Sequence, residues 1–514
     1  MKTAFEFIIA LLPIATLFVC FLVFKLSAFK TSLYAWLLEL VVVIVYYHQT
    51  PLKALEASVW GIITIWSGFL VLYTGQIFGQ AYRSTGLLAI LLRSVGSLLP
   101  AREKEAQALA LVVVIGGFIG AFNGFAVYPV AIPGLIELGF DSLQAVTSFL
   151  VYFGWTQPFV SLFIVPNISS VASHVPVADI VRVAGLMAIP LVFVSLLAFL
   201  KVLGFRFFAA KTQFLFWGMW LSNTIAIILF TQIWPTYGVL MLISGAGLSL
   251  GVLYIYGRIT KRSEAPMGTS LPGAATPDKR EYSGVRQFKA YAPLFIGVMI
   301  VLISTLPSVK KALFQLNFSV ALWGYRPVSV SIFTSAGFFI FITAMVCYLF
   351  HDDDNPSYML KDFWAATKRS RPSMTTLATG SALVYMLVNT GQMKLLAGVL
   401  AKSGATVYAT FSPFLEFLGG MAFGQGLPAD FLLSRMQIPV APLVGIPLAV
   451  LVGIVTVMSE GPPNALKPTQ IAYTQALANL KGKDGEIFRI CLKWQLLQLV
   501  AETITAVILV FIYR

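Results

Sequence analysis

Apolar segments of about 20 residues follow one another along almost the whole chain and are separated by short polar loops. Such segments predict membrane-spanning helices, because about 20 apolar residues in helical form cross the hydrocarbon core of a bilayer. We predict an all-α polytopic membrane protein with about 12 spanning helices. Two further segments, 105–139 and 404–438, are too long for one span. Each predicts a re-entrant hairpin of two half-helices.

Both hairpin segments are interrupted near their middle by glycine, a polar residue and proline. The interruptions read GAFNGFAVYP at 120–129 and GGMAFGQGLP at 419–428. An interrupted helix leaves backbone groups that lipid cannot satisfy. Two such interruptions at corresponding places in the two halves of a chain indicate the binding site of a transporter.

Two other apolar segments carry their own polar interruptions. Segment 143–165 contains GWTQP, and segment 440–480 contains SEGPPNALKP. Each predicts a broken helix that follows a hairpin. The order of helix, helix, interfacial arm, hairpin, broken helix and helix therefore occurs twice, and YTGQ at 73–76 and NTGQ at 389–392 precede the two hairpins.

The repeated order predicts two inverted-topology repeats, because the first hairpin enters from one side of the membrane and the second from the other. The predicted division is an extra N-terminal helix at 1–31, a first repeat at 32–203, connecting helices with a basic loop at 204–288, and a second repeat at 289–514.

Composition and charge agree with a membrane protein. The chain is 58% hydrophobic and 11% charged, whereas soluble domains carry about 25% charged residues. The net charge of +14 comes from basic residues in short loops, where they set topology, and it does not indicate a nucleic-acid partner. If each hairpin returns to the side that it entered from, the basic loops all lie in the cytoplasm and both termini lie outside.

The hairpin tips are the first candidates for chemistry. We predict that Pro129 and Pro428 each begin a half-helix, because proline suits the first helical position. The free N–H groups of such a first turn can bind an anion without a cationic side chain. The residues that we expect to contact the substrate from the tips are Asn123, Gly124, Tyr128, Gly424, Gln425 and Gly426.

The broken helices supply the other expected walls of the site. Lys467 can balance a substrate carboxylate, and Glu460 can take up a proton or help to hold a sodium ion. The alternative for both is that they pair with each other or reach the cytoplasmic face. The further substrate-binding candidates are Thr156, Gln157, Asn464 and Thr469. The coupling-ion candidates beside Glu460 are Ser459 and Asp430.

For most other charges within the apolar segments we expect a solvated or paired structural role. These residues are Glu39, Glu137, Arg182, Glu416, Arg435 and Glu502. The chain has no zinc-ligand spacing, no nucleophile elbow and no phosphate-binding GK[ST] loop. We therefore predict no catalytic residue, no metal centre and no cofactor beyond Na⁺ or H⁺ as coupling ion.

Several of these stretches resemble the L-lactate permease family, bacterial transporters of lactate and glycolate. The resemblance includes the second and third helices, the TGQ segment, GAFNGFAVYPVAIPGLIELGF, FSPFLEFLG at 411–419 and the PTQIAYTQAL…EIFRICLKW ending. The chain departs from the family pattern at the tips, where Asn123 replaces the usual acidic residue. The resemblance implies a bacterial inner-membrane protein that works as a homodimer with an elevator motion.

The sequence thus predicts a secondary active transporter of a small organic anion in the lipid bilayer. The favoured substrate is a monocarboxylate such as lactate or another 2-hydroxy acid, coupled to a proton or sodium gradient. One alternative is a carrier or exporter of a sulfonate or dicarboxylate. A membrane-embedded enzyme is the less favoured alternative, because the longest polar loop, 257–288, is typical of a flexible linker.

Overall fold

The computed structural model is built almost entirely of helices, and it describes residues 2–24, 26–88, 90–91, 103–260, 284–325, 327–350, 357–402, 404–423, 426–480 and 482–513. The helices up to residue 260 are α1 (Lys2–Phe18), α2 (Ala28–Val45), α3 (Pro51–Thr64), α4 (Trp66–Ser84), α5 (Lys104–Leu109), α6 (Gly116–Phe122), α7 (Gly124–Glu137), α8 (Ser142–Phe153), α9 (Val160–Ser173), α10 (Val177–Val202), α11 (Ala210–Ile227) and α12 (Met241–Thr260).

The remaining helices are α13 (Gly284–Thr305), α14 (Pro307–Phe314), α15 (Ala336–Leu349), α16 (Ser357–Asn389), α17 (Gln392–Ala401), α18 (Ala405–Ala422), α19 (Gly426–Val444), α20 (Leu448–Met458), α21 (Pro468–Leu477) and α22 (Asp484–Tyr513). Two short strands, β1 (Phe318–Val320) and β2 (Val328–Val330), pair antiparallel with Ser319 opposite Ser329. Turns of π-helix extend three of the helices and occupy Val19–Val23, Ala110–Ile115 and Ile228–Ile233.

Within the described residues, seven helical segments are long and apolar enough to cross a membrane, or eight if the bent pair α3–α4 forms one span. The sequence predicted about 12 spans. The difference arises because some of the apolar helices are shorter than 18 residues. One example is α15, which is apolar but spans only Ala336–Leu349. The molecule is therefore a multi-pass helical membrane protein, and its exact number of spans remains a prediction.

The apolar helices fall into an inner and an outer group. The segments Lys104–Phe122 and Leu448–Leu466 are 94% and 89% buried, whereas Ala210–Ile233 and Asp484–Tyr513 are only 44% and 33% buried. In a membrane protein the outer helices face lipid, so they need no protein cover. The first arm of the first hairpin and the second broken helix thus lie in the interior.

The long helix α16 connects the two halves of the sequence by packing along α2, α3 and α4. Small residues allow this close contact, as is usual between membrane helices. Gly61 of α3 lies against the Ser381 carbonyl, and Gly68 of α4 lies against Leu377. These helices form a wall beside the interior segments, and α4 and α16 each contact a hairpin.

Candidate functional site

The segment 105–139 folds into two antiparallel arms that meet at Asn123. The first arm is α5 with its π-helical extension and α6, and the second arm is α7. Gly116 of the first arm lies against Val127, and Gly134, further from the turn, lies against Leu111. A Cβ atom at Gly116 would lie 3.3 Å from Val127 Cγ1, so glycine allows the arms to approach closely.

Asn123 fixes the tip of this first hairpin. Its Oδ1 accepts a hydrogen bond from the Phe125 N–H at 3.0 Å and so caps α7. Its Nδ2 donates to the Gly75 carbonyl of α4. Asn123 is only 3% exposed, and the Gly124 N–H donates to Ser161 Oγ at 3.4 Å. The predicted site residues Asn123 and Gly124 therefore lie at a tip that is bound to two neighbouring helices.

The segment 404–438 also folds into two antiparallel arms, α18 and α19. Gly419 of α18 lies against Leu433 of α19, and a Cβ atom there would be 3.0 Å from Leu433 Cδ1. The second tip packs against α16, where Gly380 lies against Pro428. Each tip thus contacts a glycine of a long helix that precedes its hairpin. The predicted site residues Gly424 and Gln425 lie outside the described residues.

The expectation that Pro129 and Pro428 begin half-helices is wrong. Asn123 caps α7, so Pro129 stands well inside that helix, and α19 begins at Gly426, two residues before Pro428. An asparagine side chain satisfies a free N–H at the helix start, which proline cannot do. Proline is still tolerated at Pro428, because N–H groups in the first turn have no intrahelical partner.

The first broken helix is interrupted by a 3₁₀ turn at Gly154–Phe159 between α8 and α9. Ser161, Leu162 and Phe163 then adopt left-handed backbone angles, with φ between 53° and 59°. Such angles are costly for residues other than glycine and are concentrated at functional sites. The Thr156 hydroxyl donates to the Phe153 carbonyl of its own helix at 2.8 Å. Thr156 therefore supports the interruption and does not line the cavity described below.

The second broken helix is interrupted by a 3₁₀ turn at Pro462–Leu466 between α20 and α21. The two interruptions cross where Gly154 meets Gly461, and a Cβ atom at Gly154 would lie 2.8 Å from the Gly461 carbonyl oxygen. Only glycine permits this approach. The crossing brings polar residues of both broken helices into one region.

Tyr128 joins the first hairpin to both broken helices. Its fully buried hydroxyl accepts hydrogen bonds from Gln157 Nε2 at 3.5 Å and from Asn464 Nδ2 at 3.2 Å. Its ring contacts Phe149 and Tyr473. One hydrogen-bonded group therefore joins three predicted site residues that are distant in sequence: Tyr128, Gln157 and Asn464.

Lys467 and Glu460 form a buried ion pair with 2.9 Å between Nζ and Oε2. The Lys467 side chain is 1% exposed and the Glu460 side chain 8%. Gly426 of the second tip lies against the Glu460 carboxylate, which a Cβ atom at that position would overlap. Two residues that we considered as substrate and coupling groups thus neutralise each other at the second tip. Removing one member of such a pair leaves an uncompensated buried charge.

Asp430 lies in a separate cluster of hydroxyl groups. Its Oδ2 accepts a hydrogen bond from Ser169 Oγ at 2.7 Å, and Ser169 Oγ also lies 2.7 Å from Thr456 Oγ1. Asp430 Oδ1 is buried without a hydrogen-bond partner. The coupling candidate Glu460 acts electrostatically on Asp430, and the candidate Ser459 lies near the same carboxyl group. The sequence did not indicate Ser169 or Thr456, because single hydroxyl residues are common in membrane helices.

A cavity of about 50 Å³ lies between the two tips and the two broken helices. One water molecule occupies about 10–15 Å³ of such a cavity, so the cavity can hold a few heavy atoms. Its polar and glycine lining residues are Asn123, Gly124, Gln157, Ser161, Gly426, Glu460, Lys467 and Gln470. Of these, the sequence prediction of site residues omitted Ser161 and Gln470. Thr469 is not part of this lining.

Three carboxyl groups that we expected to be solvated or paired have unpartnered buried oxygens instead. Glu39, Glu416 and Glu502 are at most 1% exposed. Glu39 Oε1 accepts from Gln392 Nε2 at 2.6 Å, but its Oε2 has no partner. Glu416 Oε2 and both oxygens of Glu502 also lack partners. Among the described residues, no group of three or more His, Cys, Asp or Glu residues could hold a metal ion.

Comparison with known proteins identifies relatives over almost the entire chain. A family model described as L-lactate permease matches residues 6–513. The L-lactate permease of Bacillus subtilis (strain 168) is 23% identical, and the match covers 95% of this chain and 92% of the relative.

Two solved structures are similar over most of their length. The YdaH transporter of Alcanivorax borkumensis has a TM-score of 0.46 at 12% identity, over 89% of this chain and 88% of that chain. MtrF of Neisseria gonorrhoeae, described among antimetabolite efflux pumps, has a TM-score of 0.47 at 13% identity, over 90% of this chain and 85% of that chain.

Proposed function

Because the chain belongs to the L-lactate permease family, we propose that it is a secondary active transporter of a small monocarboxylate. Lactate or another 2-hydroxy acid is the favoured substrate. Membership in a family of permeases favours transport over the alternative of a membrane-embedded enzyme. The multiple apolar helices support the same conclusion.

The observation that carries the proposal is the Lys467–Glu460 ion pair at the cavity between the two tips. The pair has no net charge. A substrate carboxylate that binds Lys467 would leave Glu460 as a buried, unpaired anion, unless Glu460 takes up a proton at the same time. One carboxylate and one proton would then enter together without adding net charge to the interior. A sodium ion that binds near Glu460 would likewise compensate the charge of the carboxylate. Coupling to sodium is therefore the alternative.

The lining of the cavity favours a singly charged substrate. Lys467 is the one cationic side chain among the described lining residues, whereas a dicarboxylate would require a second positive charge. Gln470 also lines the cavity, and its buried Oε1 has no hydrogen-bond partner. The hydroxyl group of a 2-hydroxy acid could donate to this oxygen. Such a contact discriminates strongly against analogues that lack the hydroxyl group.

The wider arrangement supports a carrier in which the interior segments move. The hairpins and broken helices would move together against the scaffold that contains α4 and α16, as in an elevator, and two inverted repeats would relate the two access states. We further propose a homodimer in the bacterial inner membrane with both termini outside. In this proposal the first hairpin tip and the interruptions of the two broken helices keep their relative positions during transport. The hydrogen bonds of Tyr128 with Gln157 and Asn464 hold them together.

Uptake by purified protein in liposomes tests the proposed function. We expect L-lactate to accumulate under an inward proton gradient, and propionate, which lacks the 2-hydroxyl group, to compete poorly. Parallel vesicles with an inward sodium gradient and no pH gradient separate the two couplings. The proposal fails if neither gradient drives uptake of any short monocarboxylate. Preferential transport of a sulfonate or dicarboxylate would favour the alternative carrier.

A further inference from the structure

The second hairpin contains a line of buried polar side chains between its two arms. On α18 the members are Tyr408, Ser412 and Glu416, spaced at four-residue intervals. On α19 they are Asp430, Ser434 and Gln437, at intervals of four and three. Residues three or four apart lie on one face of a helix, so each set forms a stripe. All six are at most 3% exposed, and we call them the polar seam.

Contacts connect the two stripes. Tyr408 donates to Gln437 Oε1 at 2.7 Å, and Gln437 Nε2 donates to Glu416 Oε1 at 3.4 Å. Asp430 acts electrostatically on Glu416, and Ser412 lies near the same carboxyl group. The seam therefore joins residues near the open end of the hairpin to residues near its tip, and every member except Gln437 carries a hydroxyl or carboxyl group that can exchange protons.

The tip end of the polar seam reaches the cavity. Asp430 interacts with Glu460, and Gly426, one turn before Asp430, lies against the Glu460 carboxylate. From Gln437 to Gly426 the line covers about 16 Å along α19, at 1.5 Å per residue. Glu460, which acts electrostatically on Asp430, is itself paired with Lys467. The seam thus ends at the group that we propose takes up a proton.

The hydrogen bonding of the polar seam is incomplete. Ser412 Oγ, Glu416 Oε2, Asp430 Oδ1 and Ser434 Oγ are buried without hydrogen-bond partners. Unpartnered polar groups in a protein interior are expensive, and so are lone carboxylates at membrane depth. Protons on the carboxyl groups and water between the side chains would both satisfy these atoms. Four such atoms in one line favour a path over an isolated structural defect.

Hydrogen counting at Asp430 favours a proton over a metal cation. Four oxygen-to-oxygen contacts join Ser169 and Thr456 to each other, to Asp430 and to the carbonyls of Val165 and Val452, whereas the two hydroxyl groups supply only two hydrogens. The oxygen-to-oxygen distances of 2.7 Å are those of hydrogen bonds. A proton on Asp430 supplies a third hydrogen without widening the cluster.

We propose that the polar seam is the route by which protons pass between the open end of the second hairpin and Glu460. Glu416 and Asp430 act as relay groups on this route, and they do not contact the substrate. The Gln437 amide is not a relay group, so water between Tyr408, Ser412 and Glu416 carries the proton past it. Each transfer then breaks one O–H bond on the donor and forms one on the acceptor. Under the predicted topology the open end faces outside, where protons enter during uptake. This inference rests on the proposed transport function.

The test compares Glu416→Gln with Glu502→Gln in full-length protein reconstituted in liposomes. Glu502 is an equally buried carboxyl group with no partner, but it lies on α22, outside the seam. We expect Glu416→Gln to lower pH-driven accumulation of L-lactate by at least about tenfold, while exchange of lactate at equal pH persists. Glu502→Gln should retain both activities. Retained pH-driven accumulation in Glu416→Gln would overturn the route.

Two further measurements, on serine variants and by infrared spectroscopy, separate failure of the proton route from misfolding and from failure of the proposed function. If Glu416→Gln does not fold, Ser412→Ala and Ser434→Ala, which remove little volume, take its place and should slow pH-driven uptake but not exchange. Infrared difference spectra between acidic and neutral pH detect protonation of buried carboxyl groups without any substrate. The wild type should show a carboxyl band, and the component of that band that comes from Glu416 should be lost in Glu416→Gln. If the wild type moves no carboxylate, the proposed function fails, and an unchanged band would separately overturn the route.

Discussion

At the scale of single residues, the Lys467–Glu460 ion pair links stability to transport. Lys467→Met leaves Glu460 as an unpaired buried charge, which typically costs about 3–5 kcal/mol. We therefore expect a clear fall in the thermal unfolding temperature of the detergent-solubilised protein and loss of lactate uptake. The double variant Lys467→Met/Glu460→Gln removes both charges, and it should recover most of the stability but none of the uptake.

The double variant also discriminates between the two roles of the pair. A purely structural pair would allow uptake to return together with stability. Recovery of transport in Lys467→Met/Glu460→Gln would therefore contradict the assignment of Lys467 as the carboxylate-binding cation. Thermal unfolding and uptake should be measured on the same preparations, since a partly unfolded sample would lower both values.

Gly426 shows how one missing side chain sets the site. A Cβ atom at this position would overlap the Glu460 carboxylate, so Gly426→Ala must displace either the second tip or the ion pair. We expect uptake to fall at least about tenfold, because small misplacements at a binding site are costly. Gly398→Ala on α17 is the matched control, since its Cβ atom would meet no heavy atom within 4 Å. Equal loss of uptake in both variants would refute the specific role of Gly426.

At the scale of elements, each hairpin must hold its tip against a neighbouring helix. Asn123 caps α7 and donates to the Gly75 carbonyl of α4. Asp141 is a simple cap: it accepts from the Leu143 N–H of α8 at 2.9 Å and is exposed. Asn123→Ala and Asp141→Ala should each cost about 1 kcal/mol of capping energy. Only Asn123→Ala should also impair lactate uptake, because only that variant releases a tip from α4.

Stability and uptake measured side by side decide this comparison. A similar drop in unfolding temperature with uptake reduced only in Asn123→Ala supports the anchoring role. Unchanged uptake in Asn123→Ala would show that the contact with α4 is dispensable. Asn123→Asp is informative as well, since it keeps the cap but replaces the donor to Gly75 with an acceptor.

Much of the candidate site could be predicted at the level of elements. Glycine-rich interruptions in apolar segments indicated Asn123, Gly124 and Gly426, because lipid tolerates such breaks only where other groups satisfy the backbone. Lys467 and Glu460 stood out because charges at membrane depth are rare. These signals are local in sequence, and the structure brings all five residues to one cavity.

Contacts between distant segments could not be predicted in this way. No local pattern links Tyr128 to Asn464, since their hydrogen bond depends on how the first hairpin and the second broken helix pack. The helix start at Asn123 was missed because proline was given more weight than an asparagine cap. Glu416 was assigned a paired or solvated role, because a single sequence does not reveal that Gln437 contacts it from the other arm or that Asp430 acts on it electrostatically.

At the scale of the whole molecule, the predicted topology depends on both hairpins returning to the side that they entered from. Ser319 lies between the two hairpins in the chain, and Lys483 follows both; each is exposed. Under the positive-inside rule, Lys483 should be cytoplasmic and Ser319 outside. If only the second hairpin crossed the membrane, both residues would lie outside. If only the first crossed, their sides would be exchanged.

Cysteine labelling in intact cells distinguishes these three arrangements. The native Cys20, Cys347 and Cys491 are buried and can be replaced by serine or alanine to give a background without thiols. Ser319→Cys should then react with a membrane-impermeant maleimide in intact cells, and Lys483→Cys only after lysis. Labelling of both positions before lysis would show that the second hairpin crosses the membrane, and the reversed pattern would show that the first does. The reversed pattern would also place the open end of the polar seam on the wrong side for protons that enter during uptake.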